Sequence, residues 1–556
     1  MRRLLFASAL LAACSSPDEA GPAPVDSGTT DGAEDTAPAV EHDDPCTSTA
    51  PTLGVVPSTR VATIVSKKRP QTASGVSPDG PPGLPGYLAA GLGEWEAGPA
   101  EPGLVDDTLL PGAGSSSAAS DRRSVAFVLH VSDTQLVDDE SPNRLMVLDN
   151  PITSGAGRPQ EGGVARATSA MHRTLAAITK ARPFDFELVT GDCADNAQAN
   201  EHAWFVQLMD GKKGLDLDSG ADDDPVVGPG NDWKDPFDPV PAPAPWYFVF
   251  GNHDNEVQGN SVPSGYTSEI ALGTTPKSGT RDYRKKGAPI TREEVPADPR
   301  RKQLTSAEIV AGLFDTTSVP GPVGHGFTKG KPGTSYVVEP MPGVPLRLVS
   351  LDTTDPSGGS SGSVLVKTMT EFLEPTLAAA EKDGFLVILS SHHPTSTIDA
   401  GKGDDTKPDA AYLTREQVEK AVAAHPNVIL WLAGHEHSHR ISAIKGPSAD
   451  APGYYEIMTD AIADWPSQAR AIELVWVPGD DSLSIYTSTI DYAAESCLEA
   501  RFRTYSLVDV NSGWSPSGAG RPADRNVELR RKVPKGVKLA GLGKVKIETE
   551  TTLVGK

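Results

Sequence analysis

Positive charge is in short supply in this sequence: 50 Lys and Arg stand against 74 Asp and Glu, a net charge of −24. A surface of that sign repels a phosphate backbone, so nucleic acid is excluded as the main partner. Long apolar runs are also missing. After the first thirteen residues no stretch is long and apolar enough to cross a bilayer, which excludes a further helical span. There is no internal repeat, so the 556 residues are not a stack of small units. Cysteine is rare, with four in all, at Cys14, Cys46, Cys193 and Cys497.

What is present begins at the amino terminus. Met1-Arg2-Arg3 precedes the apolar stretch Leu4 to Ala13, a basic start and a short apolar core that read as a signal peptide over residues 1–13. Leu11-Ala12-Ala13-Cys14 resembles the bacterial lipobox. That resemblance implies a lipid anchor on Cys14, membrane attachment through it, and a protein held outside the cytoplasm on the cell envelope. Ser15 after the cysteine points to the outer membrane; ordinary signal cleavage near Ala13 is the alternative. Residues 14–60 read as a disordered acidic tether, since Ser15 to Thr59 has many Asp and Glu among Pro, Gly, Ala and Thr and no Lys or Arg. Such a segment has too little apolar surface to order itself. Residues 61–120 stay rich in Gly and Pro and read as an irregular extension draped on the rest.

The chemistry lies in five polar motifs, each after an apolar run that reads as a buried strand. Val125 to Val131 leads to Asp133-Thr134-Gln135, and Phe186 to Val189 to Gly191-Asp192-Cys193-Ala194-Asp195. Trp246 to Phe250 leads to Gly251-Asn252-His253-Asp254. Phe385 to Leu389 leads to Ser391-His392-His393-Pro394, and Val428 to Leu432 to Gly434-His435-Glu436-His437. Strand ends of an open α/β sheet share one crevice, so five such ends converge on one site.

In this order the motifs resemble those of the calcineurin-like metallophosphoesterases, D-x-H, G-D-x-x-D, G-N-H-D/E, a His before x-Pro, and G-H-x-H, over Val125 to His439. The resemblance implies an α/β fold, a four-layer α/β/β/α sandwich of two mixed sheets. It also implies a metallophosphoesterase, a phosphoric ester hydrolase that acts on small phosphate monoesters or diesters through a hydroxide bridging two metals. Gln135 departs from the pattern, standing where most members have His.

Two divalent or trivalent ions a few ångströms apart clamp a phosphoryl group and acidify water. By the resemblance, Asp133, Gln135, Asp192 and His437 hold the first, and Asp192, Asn252, His392 and His435 the second, with Asp192 bridging. Imidazole with carboxylate suits Fe, Mn or Zn, and the Gln135 amide shifts the first position towards Fe or Mn. His253 is expected to assist the leaving group as a catalytic residue, with Asp195 or Asp254 orienting its ring. His392 stands two residues before Pro394, the ligand position; strand alternation turns His393 away, either to a contact behind the ligands or to a substrate contact. His439 follows G-H-x-H by one strand period and either lines the pocket as a substrate contact or sits in an exposed loop. Cys193 occupies a non-ligand slot, where a small buried side chain is expected.

The catalytic block spans 121–500, with insertions near 211–245 and 255–333, and 501–556 reads as a basic covering arm. Tyr454 to Thr459, Arg470 to Val477 and Ser482 to Ile490 read as strands that extend the second sheet. His130, His172, His202, His325 and His425 lie outside the motifs and read as structural or surface residues. Tyr454, Tyr455, Asp464 and Trp465 either pack on a strand or touch the leaving group. Cys46 and Cys497 either pair, clasping the two ends of the chain, or remain free thiols. An alternative function is a catalytically weak surface lipoprotein that uses the domain as a binding module, for which only Gln135 speaks.

Overall fold

Two sets of parallel strands set the architecture. Arg123–Val131, Phe186–Val189 and Trp246–Phe248 run parallel side by side. Leu346–Ser350, Leu386–Ser390, Val428–Ala433 and Gly453–Met458 form the second set. Leu386–Ser390 and Val428–Ala433 are buried at every position, as continuous apolar runs must be when helices or another sheet cover both faces. This is a computed structural model, and it describes residues 46, 58–68, 83–146, 156–180, 182–221, 226–281, 283, 289–316, 320–399, 411–540 and 553. Cys14 and the segments read as signal and acidic tether lie outside the described residues, apart from Cys46 and residues 58–60.

Antiparallel partners widen each set into a mixed sheet. The first has seven strands in the order Leu104–Asp106, Val527–Lys532, Ser482–Asp491, Gln468–Val477, Arg123–Val131, Phe186–Val189, Trp246–Phe248. The second has six: Arg440–Lys445, Gly453–Met458, Val428–Ala433, Leu386–Ser390, Leu346–Ser350, Tyr336–Val338. Side chains alternate along Leu386–Ser390. Leu386 and Ile388 enter the core shared with strands of the other sheet, among them Leu129, Ile472 and Leu474. Val387 and Leu389 enter a second cluster with Leu377 and Val418 of the helices Glu374–Asp383 and Arg415–Ala423. Helix Val164–Ile178 joins the first cluster through Ala167, Met171 and Leu175. The fold is the expected α/β arrangement of two mixed sheets with helices. Among the described residues no helix is long and apolar enough to cross a membrane.

The structure departs from the sequence expectation in four places. Gln468–Val477 and Ser482–Asp491 do not extend the sheet of the fourth and fifth motifs; they pair antiparallel beside Arg123–Val131. Only Gly453–Met458 joins the six-stranded sheet. The stretch 61–120 has regular parts, a two-stranded sheet of Thr63–Ser66 with Trp95–Gly98, the helix Gly83–Ala89 and the edge strand Leu104–Asp106. Residue 500 falls inside the helix Cys497–Asn511, and Val527–Lys532 is a sheet strand rather than an arm. Its Arg-Arg-Lys run hides the strand because buried Arg531 donates to the carbonyls of Pro426 and Val428 instead of reaching water. The sequence from Val364 to Lys382 reads as one helix, but the structure begins it at Val366 and interrupts it by a π turn at Met369–Leu373. Pro375, just after it, has no N–H to return to the preceding turn.

His325 stacks on Trp246, with ring centroids 3.3 Å apart, and its Nδ1 lies 3.1 Å from the Trp246 carbonyl oxygen. Burial lowers its pKa to about 4. An unfolded histidine titrates near pH ~6.5, so between about 6.5 and about 4 the unfolded chain takes up a proton that the folded ring refuses. The folded pKa is the lower one, so this group's contribution is complete above that window and declines as pH falls through it. His325→Phe is therefore expected to flatten the slope of unfolding free energy against pH over this range in urea titrations. An unchanged slope contradicts a neutral buried ring.

Candidate metal centre

The motif loops continue the strand ladders past the strand ends. Asp133 N–H donates to Gly191 O, Gln135 N–H to Asp192 O and Leu136 N–H to Cys193 O, at 3.1, 2.8 and 2.9 Å. Gly434 N–H donates to His392 O at 2.9 Å. Two contacts then tie the sheets together: His392 Nδ1 donates to Thr190 O at 2.7 Å, and His435 N–H to Asp133 Oδ2 at 3.1 Å. The turns are sharp. Asp133, Gln135, Asp192, His435 and His437 have φ of 51°, 42°, 52°, 76° and 46°, in the left-handed region that non-glycine residues rarely occupy. Glycine is required beside them for a different reason: a Cβ on Gly251 would collide with Asp192, and one on Gly434 with Ser132 and Asp133.

Asp192 is the hub. Its Oδ1 accepts from His253 N–H at 2.9 Å, and its Oδ2 lies 3.1 Å from His392 Nε2 and 3.4 Å from Gln135 Nε2. Asp133 Oδ1 lies 3.3 Å from His437 Nε2. His435 Nδ1 is 3.2 Å from His392 Nε2. Asn252 donates its Nδ2 to Gly259 O at 3.0 Å, which leaves its Oδ1 buried without a donor. Gln135 Oε1 is buried without a donor as well. Buried acceptors without donors cost about 1–3 kcal/mol each, and a cation satisfies them. Asp133, Asp192 and His392 offer ligand atoms within 4.8 Å of one another, and so do His392, His393 and His435. These residues fit divalent metal ions: carboxylate, amide oxygen and imidazole converge. Six of the seven expected ligands, Asp133, Gln135, Asp192, His392, His435 and His437, are joined by these contacts, and Asn252 stands next in the chain to His253, whose N–H meets Asp192.

Electrostatics point the same way. Burial pushes the His392 imidazole down, but the Asp192 and Asp133 carboxylates outweigh it and raise the pKa to about 9. Burial likewise opposes the rise of His437, which Asp133 and Asp464 lift to about 10. The two carboxylates are held low against their own burial, Asp133 by His437 and His392, Asp192 by His392 and His253. Protons on the histidines thus stand where positive charge is needed.

The second circle of contacts differs in part from expectation. His253 Nδ1 lies 2.7 Å from Asp195 Oδ1, so Asp195 orients the ring. Asp254 does not reach that ring. Its carboxylate accepts the backbone N–H groups of Asp192, Cys193, Ala194 and Gly251 at 2.8–3.2 Å, fixing the loop that carries Asp192. His439 is not a substrate contact either: Nε2 meets Gln468 Oε1 at 3.0 Å and Nδ1 accepts from Arg470 at 2.9 Å, in the buried core. His393 is wholly buried, not turned towards a substrate path. Cys193 is a buried free thiol, as expected. Asp464 escaped assignment as an orienting group; its Oδ2 lies 2.5 Å from His437 Nδ1 and its Oδ1 accepts from Arg158 at 2.7 Å. Only a carboxylate at strand-end spacing could have hinted at it, since it lies 27 residues from its partner in sequence. Tyr455 donates to the Arg530 carbonyl and Tyr454 packs on Trp431, so both are packing residues. The side chains of His253 and His437 are 14% and 18% exposed, those of His392 and Asp192 0% and 1%. The centre opens to solvent along His253, His435 and His437, all partly exposed.

The family model for calcineurin-like phosphoesterases matches residues 128–439, more than half of the chain. Members of that family typically bind two metal ions, and the ligand groups for them are present here. A search of curated proteins finds no match.

A cation seated on Asp133 and Asp192 must displace the protons that His392 and His437 carry at neutral pH. Adding Zn2+ or Mn2+ to metal-free protein is expected to release protons, read as buffer-dependent heats in calorimetry, with apparent affinity rising from about pH 6 to about pH 8. Binding without proton release contradicts this arrangement.

Proposed function

The chain belongs to the calcineurin-like phosphoesterase family, and from that premise we propose that it hydrolyses phosphate monoesters or diesters with two bound metal ions. Fe, Mn or Zn suit the donors. The observation that carries the reading is the convergence of Asp133, Asp192, Gln135 and the imidazoles of His392, His435 and His437 beside His253, a partly exposed ring backed by Asp195. Bound metals supply Lewis acidity and an acidified water, and neutralise phosphoryl charge.

The chain's own residues do the rest. Asp192 and Asp133 collect positive charge, and His392 and His437 are aimed by the Thr190 carbonyl and Asp464 respectively. Asp195 holds the Nδ1 side of His253, so Nε2, which lies 3.9 Å from Asp192 Oδ2, is the atom left to give a proton to the leaving alkoxide. Asp254 keeps the Asp192 loop from relaxing. We propose further that the protein lies outside the cytoplasm, lipid-anchored at Cys14, a reading that the signal pattern supports. The Cys46–Cys497 disulfide, with Cα atoms 5.5 Å apart, supports an oxidising compartment.

Hydrolysis of p-nitrophenyl phosphate and bis-p-nitrophenyl phosphate by metal-loaded protein tests this. Asp192→Ala is expected to abolish turnover, and His253→Ala to lower kcat about 10²–10⁴-fold while metal content stays unchanged. Two bound metals with no turnover on either ester would move the reading to the binding module.

A further inference from the structure

We infer that His393 is a metal ligand beside His392 and His435, making the centre lopsided, with three imidazoles at one position and only His437 at the other. The inference rests on the metal-dependent reading above. It goes beyond the ligand set that the motifs imply, in which His393 has no part.

Strand alternation turns the His393 ring away from the site, yet the structure brings it in. Leu386–Ser390 ends three residues earlier, and Ser391 Oγ donates to His393 O at 2.7 Å, turning the chain. The His393 ring centroid then stands 4.3 Å from that of His435 and 4.9 Å from that of His392. One nitrogen from each of the three lies within 4.8 Å of the others. The Asp192 carboxylate adjoins the group, its Oδ2 3.1 Å from His392 Nε2, and a cation is what binds all three nitrogens at once.

The two nitrogens of His393 divide the work as a ligating imidazole does. Nδ1 lies 3.0 Å from Thr353 Oγ1, while Nε2 is buried with no hydrogen-bond partner. A polar contact to the far nitrogen fixes ring orientation and tautomer and leaves the near one for the metal. The structural His439, by contrast, has a partner on each nitrogen. The ring is also held in place: a Cβ on Gly362 would stand 2.5 Å from His393 Cβ and 2.7 Å from its Cγ, so the loop packs directly on it. His393 is 0% exposed, whereas the side open to a substrate runs along the partly exposed His253, His435 and His437.

The consequence is unequal metal preference. Three imidazoles favour Zn, Co or Ni, whereas Asp133, the Gln135 amide and one imidazole favour Mn or Fe. The two positions are therefore expected to fill with different metals when offered a mixture.

Metal-free full chain, His393→Phe and Thr353→Val are compared by equilibrium dialysis with Zn2+ and with Co2+, together with Co2+ visible spectra and melting curves. Phe keeps the ring volume and removes both nitrogens; Val removes only the Thr353 contact. Expected are two bound metals in the wild type and a loss of about 10–100-fold in affinity at one position in each variant, with an altered Co2+ spectrum. Wild-type affinity and spectrum in folded His393→Phe overturn the proposal. Should that variant not fold, Thr353→Val decides on the same criteria. Absence of metal binding in the wild type itself refutes the underlying metal-dependent reading instead.

Discussion

Asp133, Gln135, Asp192, His435 and His437 all leave their strands through left-handed backbone. Each such residue costs on the order of 1–3 kcal/mol, so the five together rival the net stability of a whole domain. They persist because the surroundings over-determine them. The loop ladder from Asp133 to Leu136 against Gly191 to Cys193 holds one side, and the Asp254 carboxylate clamps four amides on it. The cross-sheet bonds from His392 to Thr190 and from His435 to Asp133 hold the other. The ligands are preorganised by the same contacts that join the two sheets.

Charge sets the second condition. Asp133 and Asp192 are fully buried and close together, which an apolar interior does not tolerate without a counter-charge. Protonated His392 and His437 provide it in the metal-free state, and metal ions are suited to take over that role. The far nitrogens of those rings are already committed, to Thr190 and Asp464, so the exchange needs no rotation of either ring.

Much of this was legible in the sequence. Parallel strands covered on both faces are unbroken apolar runs, which is why the strands before all five motifs stand out, and the ligands follow directly at their ends. Other parts were hidden for physical reasons. Asp464 acts on His437 through a fold contact that no spacing rule encodes, and Asp254 has an ordinary motif position but spends its oxygens on backbone amides. His439 was misjudged by strand periodicity, which gives no information on what the core satisfies; at His393 the chain has turned after Ser390, so alternation no longer sets the direction of the ring. Val527–Lys532 was masked by arginines that are buried against carbonyl groups.

The central claim is that two metal positions lie at the joined strand ends and share Asp192. Crystals grown with Mn2+ or Zn2+ and measured at the corresponding absorption edge test it most directly. The account predicts two anomalous peaks, one beside Asp133 and His437, the other beside His392 and His435, both in contact with Asp192. A single peak away from Asp192, or none at full metal occupancy of the solution, contradicts it.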